Sequence, residues 1–186
     1  MEEDQFSALL GESQKFCAVV GLHKELILEI YQDKSDWAFI LKIDSLLETA
    51  AKEIVCKGLK IKFSGVSSDK DALKEFIYSL PMNGKVSILG LLRIAQCPEE
   101  QIRFIECVRV LRNSFAHNIR NADSSLIGIV MNHREKSRLI KSLSRIEKYD
   151  EADLVKMYEV DGGMFRFGIL NGAMTFLTLG YHVALK

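Results

Sequence analysis

The sequence contains few of the residues that mark secreted, metal-binding or loop-rich proteins. It has only two prolines and four cysteines among 186 residues, and no two cysteines show the C-x-x-C spacing of a zinc or redox site. The cysteines lie on apolar stretches, so we interpret them as buried thiols in a reducing compartment. With 48% hydrophobic residues and so little proline, the composition predicts a compact and mainly helical chain.

The sequence also lacks a long apolar run and a secretion signal. Its longest apolar stretch, residues 165–179, is interrupted by Arg166, Asn171 and glycines, and this pattern does not predict a membrane span. No basic segment followed by an apolar one opens the chain. We therefore expect a cytoplasmic protein that makes no contact with membranes.

Several signatures of catalysis are missing as well. There is no glycine-rich phosphate loop and no Gly-x-Ser-x-Gly turn. The four histidines are widely separated, and none belongs to a cluster with the spacing of metal ligands. The sequence therefore predicts no metal and no cofactor.

The net charge is zero, which argues against a protein that coats nucleic acid through bulk electrostatics. The charges are unevenly distributed along the chain. The first fifty residues carry ten acidic and four basic side chains, whereas residues 51–120 carry twelve basic and seven acidic ones. A local anion site in the basic middle of a neutral protein is consistent with this distribution.

Hydrophobic periodicity predicts an all-α fold, namely a single-domain antiparallel bundle of about six to seven helices over residues 1–186. Only the acidic N-terminal residues are candidates for flexibility. We expect a loop at Gly58 and at residues 64–69, and we prefer a loop to a β-hairpin for residues 150–162. The predicted helices are 6–31 (bent near Gly11 or Gly21), 36–55, 71–80, 83–94, 98–117, 132–148 and 163–185.

The stretch from Arg112 to His117 carries the most chemistry in the chain. Arg109, Asn113 and His117 are four residues apart, so they form one stripe on a helix. Arg112 lies about 140° around the axis from His117 and roughly 7.5 Å along it, so the two side chains do not stack directly. An arginine suits a phosphate and a histidine transfers protons, but both also relieve the exposed carbonyls at a helix end. Spacing alone leaves the functional and the capping interpretations open.

The pattern Arg112-Asn113-x-x-x-His117 resembles the signature of the HEPN superfamily (higher eukaryotes and prokaryotes nucleotide-binding), which is Arg, a polar residue, three variable residues and His. This resemblance implies a helical bundle that dimerises through the motif helix, so that two motifs meet across a twofold axis. It further implies a metal-independent RNA endonuclease of the toxin type, for which an antitoxin would be a partner. His117 would act as general acid or base, Arg112 would stabilise charge on the phosphate, and Asn113 would orient the phosphate or the imidazole.

Residues 37–60 and 80–118 are also similar to the mannitol operon repressor family of bacterial helical proteins. That family's name implies transcription regulation, yet this sequence offers no helix-turn-helix that would read bases. The alternative prediction is therefore a non-catalytic regulator or interaction module that acts through protein or nucleotide binding. A third hypothesis gives Arg112 and His117 a purely structural role.

Two further observations concern surfaces. The motif helix is apolar on so much of its circumference that it is expected to pack on two sides, one of them against a partner subunit. Basic residues also recur at helical spacing on one side of the predicted helix 132–148, and with Arg109 they are candidates for nucleic-acid binding. The alternative is a solvated face with local pairs to Glu135 or Glu147. The row consists of Arg134, Arg138, Lys141, Arg145 and Lys148.

Overall fold

A computed structural model describes residues 3–62, 70–117, 121, 123–145 and 149–184 of the chain. Within these ranges the secondary structure is entirely helical, which confirms the predicted all-α bundle. The described part contains ten helices rather than six or seven. They are α1 (Glu3–Val19), α2 (Leu26–Gln32), α3 (Asp36–Lys62), α4 (Lys70–Ser79), α5 (Ile88–Ile94), α6 (Glu99–Ala116), α7 (Leu126–Met131), α8 (Lys136–Ser144), α9 (Glu151–Val160) and α10 (Gly162–Ala184).

The N-terminal helical region divides at a glycine. The predicted helix 6–31 ends at Val19, and Gly21 adopts a φ of 79° before α2 begins. A left-handed residue cannot continue a helix, and glycine takes that conformation without a steric penalty. Gly11, the other candidate for the bend, lies within α1.

The prediction for α3 is confirmed at its start and wrong at its end. Ser35 precedes the helix, and its hydroxyl accepts a hydrogen bond from the Ala38 N–H at 3.3 Å. The helix then continues through Gly58, where we expected a loop; residues 64–69 lie outside the described part. The apolar residues whose spacing predicted this helix are buried: Phe39, Ile43, Leu46, Leu47, Ala50, Ala51, Ile54 and Val55.

The helices around the motif begin close to the expected positions. Helix α4 matches the prediction to within one residue at each end. Helix α5 begins five residues later than expected, because Ser87 caps it by accepting the Gly90 N–H at 3.1 Å. Helix α6 begins at Glu99, so Pro98 is its N-cap rather than its first residue.

The second half of the chain is more finely divided than the periodicity predicted. The predicted helix 132–148 covers only Lys136–Ser144 in the described residues, and the short helix α7 precedes it. The segment 150–162, where we expected a loop, contains α9 (Glu151–Val160). Asp150 caps this helix by accepting the Asp153 N–H at 2.9 Å, and Asp161 separates it from α10.

Helix α10 runs through the centre of the helical assembly. It packs against α1, α3, α8 and α9, and its buried residues join those of α3 and α6 in one apolar cluster. Two glycines of α10, Gly168 and Gly172, allow close approach of neighbouring elements. A Cβ atom at Gly168 would lie 2.7 Å from the Ser144 carbonyl oxygen, and one at Gly172 would lie 2.3 Å from the Phe104 ring.

Helix α6 lies between α3 and α8, and this arrangement covers both of its apolar sides within the same chain. The predicted stripe is fully buried, and Phe104 and Cys107 extend it. The apolar surface that suggested a partner subunit is therefore already covered. Any homodimer through this helix would have to use its polar face, which includes the motif. The buried stripe consists of Ile102, Ile105, Val108, Leu111 and Phe115.

Candidate functional site

The motif occupies the C-terminal end of α6. Arg112 and Asn113 lie in its last turns, and His117 is the C-cap residue, whose N–H donates to the Asn113 carbonyl at 3.0 Å. Asn113 and His117 are exposed, and 39% of the Arg112 side chain is accessible. The three predicted catalytic side chains therefore all reach solvent from the same helix end.

Within the motif, the arginine is anchored and the histidine is not. Arg112 Nη1 donates to Asn113 Oδ1 at 3.1 Å, and Arg112 Nε lies 3.5 Å from Oδ2 of Asp44 on α3. The His117 side chain forms no hydrogen bond or ion pair with the residues that the structure describes. Among the described residues, the guanidinium is thus held in one orientation, whereas the imidazole has no partner that a ligand would have to displace.

Arg109, one turn before Asn113, is engaged by carboxylates of α3. Its Nη1 lies 3.3 Å from Asp44 Oδ1 and 3.2 Å from Glu48 Oε2, and its side chain is only 17% exposed. Its Nε is buried and has no partner in the described part of the chain. A phosphate could reach this predicted nucleic-acid contact only if it competed with the two carboxylates.

The pKa values of these two carboxyl groups shift in opposite directions. Burial raises the pKa of Asp44, and the nearby charges of Arg109 and Arg112 offset that increase only in part. Burial also acts to raise the pKa of Glu48, but the hydrogen bond and charge of Lys52, together with Arg109, outweigh it and lower the pKa. Asp44 therefore ionises less readily than Glu48, although both face the same guanidinium.

The sequence did not single out Asp44. Asp44 and Glu48 are carboxylates one turn apart, and such a pair is typical of a solvated helix edge. The Asp44 side chain is only 6% exposed. A signal was present, since Asp44 occupies the same helical stripe as the buried residues Ile40, Leu47 and Ala51. A carboxylate on a core stripe predicts a buried cationic partner.

The predicted basic row does not form one continuous face. Arg134 precedes α8, while Arg145 follows it with a left-handed φ of 55°. The alternative of local ion pairs is confirmed for Glu135, which lies 3.6 Å from Arg134 and 2.8 Å from Arg138. Glu147 and Lys148 lie outside the described residues.

The remaining cations of the row differ in their pairing. Arg138 also contacts Glu106 on α6 at 2.7 Å, and Arg145 lies 3.8 Å from Glu100. Lys141 is exposed and forms no ion pair with a described residue. Three of the four described cations therefore have acidic partners within the chain, which reduces the charge available to a phosphate backbone.

The described residues contain neither a cluster of potential metal ligands nor a helix that could span a membrane. No group of three or more potential metal-binding side chains lies together there. No helix among them has both the length and the apolar character required to cross a membrane.

Comparisons of the chain with protein-family models, with curated proteins and with solved structures give no match in any of the three.

Proposed function

We propose that this chain is a HEPN-like, metal-independent RNA endonuclease of the toxin type, active as a homodimer. The observation that supports this proposal most directly is the contrast within the motif: Arg112 is fixed by Asp44 and Asn113, whereas His117 is exposed and unpaired among the described residues. A pre-oriented cation beside a free imidazole is the combination that phosphodiester transfer requires.

The chemistry follows from the substrate, because RNA carries its own nucleophile. His117 removes the proton of a ribose 2′-hydroxyl, whose oxygen attacks the adjacent phosphorus while the 5′-oxygen leaves and accepts a proton. The products are a 2′,3′-cyclic phosphate and a 5′-hydroxyl. Arg112 stabilises the negative charge that develops on the phosphorane, and Asn113 orients the phosphate or the imidazole.

One histidine cannot be base and acid in the same step, so a second copy of the motif would complete the site. The polar face of α6 carries the motif, and both apolar sides of this helix are covered within the chain. A twofold contact through that polar face would bring the two His117 side chains toward one phosphate. An antitoxin would then act by covering the same face.

The test is incubation of the purified protein with single-stranded RNA in EDTA, followed by analysis of the cleaved ends. We expect 2′,3′-cyclic phosphate termini, and we expect no cleavage of a matched substrate with a 2′-deoxyribose at the scissile position. His117→Ala abolishes cleavage, whereas His23→Ala, which removes an exposed histidine outside α6, leaves the rate within about twofold. Intact RNA after long incubation of a folded dimer would contradict the proposal.

A second candidate is a non-catalytic regulator, related in role to the mannitol operon repressor family, that acts through protein or nucleotide binding. The ion pairs of Arg109 with Asp44 and Glu48, and those of Arg138 with Glu106 and Glu135, favour this alternative. These arginines are already neutralised, which is unusual in a phosphate-binding surface. Affinity for RNA that falls steeply with salt, without any cleavage, would support this candidate over the first.

A further inference from the structure

A cleft of about 1070 Å³ opens between the first turns of α6, the C-terminal end of α8 and the first turns of α10. Its volume is slightly above the range typical of small-molecule sites, roughly 300–1,000 Å³. One part of its wall is cationic and another is apolar. The side chains that define these two parts are Arg103, Lys141, Arg145, Tyr31, Met164 and Phe167.

The three cations are weakly neutralised. Lys141 is exposed and has no partner among the residues that the structure describes. Arg103 reaches Glu99 only at 3.8 Å, and Arg145 reaches Glu100 at the same distance. Both glutamates are half-exposed or more, so these pairs are highly solvated and contribute little. An anion in the cleft would meet three cations without displacing a strong ion pair.

Arg145 occupies its place at a conformational cost. It follows the last residue of α8 with a φ of 55°, a conformation that side-chain-bearing residues adopt rarely. Its side chain is nevertheless only 19% exposed and lines the cleft. Of the acidic residues in the wall, Asp161 is engaged by the N–H of Gly163, which donates to Asp161 Oδ1 at 2.9 Å.

The apolar part of the wall offers a surface for a flat group. Tyr31 and Met164 are each 37% exposed, which is high for large apolar side chains. Phe167 stacks on Phe6 with ring centroids 5.5 Å apart, so its ring is fixed. These side chains give the cleft an apolar wall beside its cations.

We propose that this cleft binds a small organic anion: an aromatic or similarly flat apolar molecule with a phosphate or carboxylate group. The anionic group contacts Lys141, Arg103 and Arg145, and the flat body lies against Tyr31 and Met164. The site does not depend on the proposed nuclease function. Arg103 precedes His117 by fourteen residues on the same helix, which places them about 21 Å apart along its axis.

The test is titration calorimetry of the full chain with four probes: phenyl phosphate, benzoate, inorganic phosphate and phenol. We expect phenyl phosphate to bind saturably and about tenfold more tightly than inorganic phosphate or phenol, because only it engages both parts of the wall. Benzoate distinguishes a carboxylate preference from a phosphate preference. If benzoate binds more tightly than phenyl phosphate, the proposed site is supported and its preferred anion is a carboxylate.

Variants locate the binding. Lys141→Ala should weaken phenyl phosphate about fivefold or more, since it removes a charged contact from a residue with no structural partner among the described ones. Arg145→Asn should do the same, and asparagine tolerates the left-handed backbone. Arg134→Ala is the matched control, because Arg134 is 88% exposed and does not line the cleft. Equal weakening by Arg134→Ala would show diffuse charge attraction and overturn the proposal.

Two other results would also overturn it. One is equal affinity for phenyl phosphate and inorganic phosphate, or no saturable binding up to about 10 mM. The other is a loss of RNA affinity in Lys141→Ala while the parent chain shows no binding of phenyl phosphate. That result would assign Lys141 to a nucleic-acid surface.

Discussion

Asp44 on α3 joins two arginines of α6: its Oδ2 lies 3.5 Å from Arg112 Nε, and its Oδ1 lies 3.3 Å from Arg109 Nη1. This carboxylate is almost fully buried, whereas Arg112 extends to the surface. Asp44 therefore connects the core of the protein to the only cation of the motif, and it fixes the direction in which that cation points.

Replacement of Asp44 by Asn should destabilise the protein by about 2 kcal/mol, because it puts an N–H donor where the carboxyl has an oxygen and leaves a hydrogen bond of the Arg109 or Arg112 guanidinium unmade. Urea unfolding near neutral pH measures this loss. The matched control is Asp153→Asn, whose carboxylate is half-exposed and 3.9 Å from Lys156, and it should cost less than about 0.5 kcal/mol. Equal effects of the two substitutions would show that the Asp44 pairs contribute no more than surface pairs.

The raised pKa of Asp44 gives that residue a distinct pH signature. Burial makes the folded protein hold this proton more tightly than the unfolded chain does. Its contribution to stability is therefore largest below the ordinary aspartate pKa and decreases as the pH rises through the raised folded value. The stability difference between the parent and Asp44→Asn, measured by urea unfolding at a series of pH values, should show this dependence. A difference that grows more favourable to the parent with rising pH across that window would contradict the assignment.

The contribution of the hydrogen-bonded pair Glu53 and Tyr78 to folding stability should depend on pH in the opposite direction to that of Asp44. Burial acts to raise the pKa of Glu53, but the hydrogen bond from Tyr78 and the interaction with Lys74 outweigh it, so the pKa falls below its usual value. The Tyr78 hydroxyl donates to Glu53 Oε1 at 2.6 Å. Stability from this group is present above the ordinary glutamate pKa and is lost as the pH falls through the lowered one.

Tyr78→Phe should therefore cost about 1 kcal/mol near pH 7 and less at a pH well below the ordinary glutamate pKa, once Glu53 has taken up a proton. Urea unfolding at both pH values measures the difference. Tyr149→Phe is the control, since that side chain is 45% exposed and forms no hydrogen bond within the described residues. A pH-independent cost for Tyr78→Phe would show that the hydroxyl does not act through Glu53.

Two glycine-to-alanine substitutions should change the free energy of unfolding in opposite directions. At Gly172 an added Cβ would lie 2.3 Å from the buried Phe104 ring, so we expect a loss of about 2 kcal/mol from overpacking. At Gly58, within α3, nothing lies within 4 Å of the added atom, and alanine should raise stability by about 0.5–1 kcal/mol. Thermal unfolding of the two variants measures both. A neutral Gly172→Ala would mean that α6 and α10 separate without cost.

Gln96 offers a stabilising substitution at the end of α5. It has a φ of 62°, and the two hydrogen bonds of a Schellman motif surround it: Cys97 N–H to Leu92 O at 2.9 Å, and Gln96 N–H to Arg93 O at 3.0 Å. Gln96→Gly should stabilise the fold by about 0.5–1 kcal/mol, because glycine adopts this conformation without strain. The matched control is Gln32→Gly at the last residue of α2, where glycine should destabilise.

The helical class and the core stripes followed from periodicity, since the predicted apolar residues of α3 and α6 are buried. The helix boundaries followed less well. Helix α9 was missed although Asp150 and two acidic residues in its first turn form a normal helix start, because Asp161-Gly162 is a turn signal and the residues before it were interpreted as a loop. Gly58 was interpreted as a loop residue, but one glycine costs only about 1 kcal/mol in a helix and tertiary packing offsets it.

The candidate site could be predicted only in part. The motif residues and their helix were identified from local spacing, which is the information that a sequence provides directly. Asp44 and Arg109 are separated by 65 positions, and periodicity alone does not show which faces of two helices meet. The same limit applies to the cleft, whose wall combines residues from α6, α8 and α10.

The central position of α10 has a consequence for biosynthesis. Arg166 on this helix donates to Asp36 Oδ1 at 3.2 Å and to the Tyr31 carbonyl at 3.1 Å, and its guanidinium stacks over the Phe39 ring. The ribosome makes α10 after all the helices that it packs against. Until α10 emerges, a nascent chain exposes the apolar faces of α1 and α3. A chaperone that shields such surfaces during translation would therefore have its longest opportunity to bind before residue 162 has left the exit tunnel.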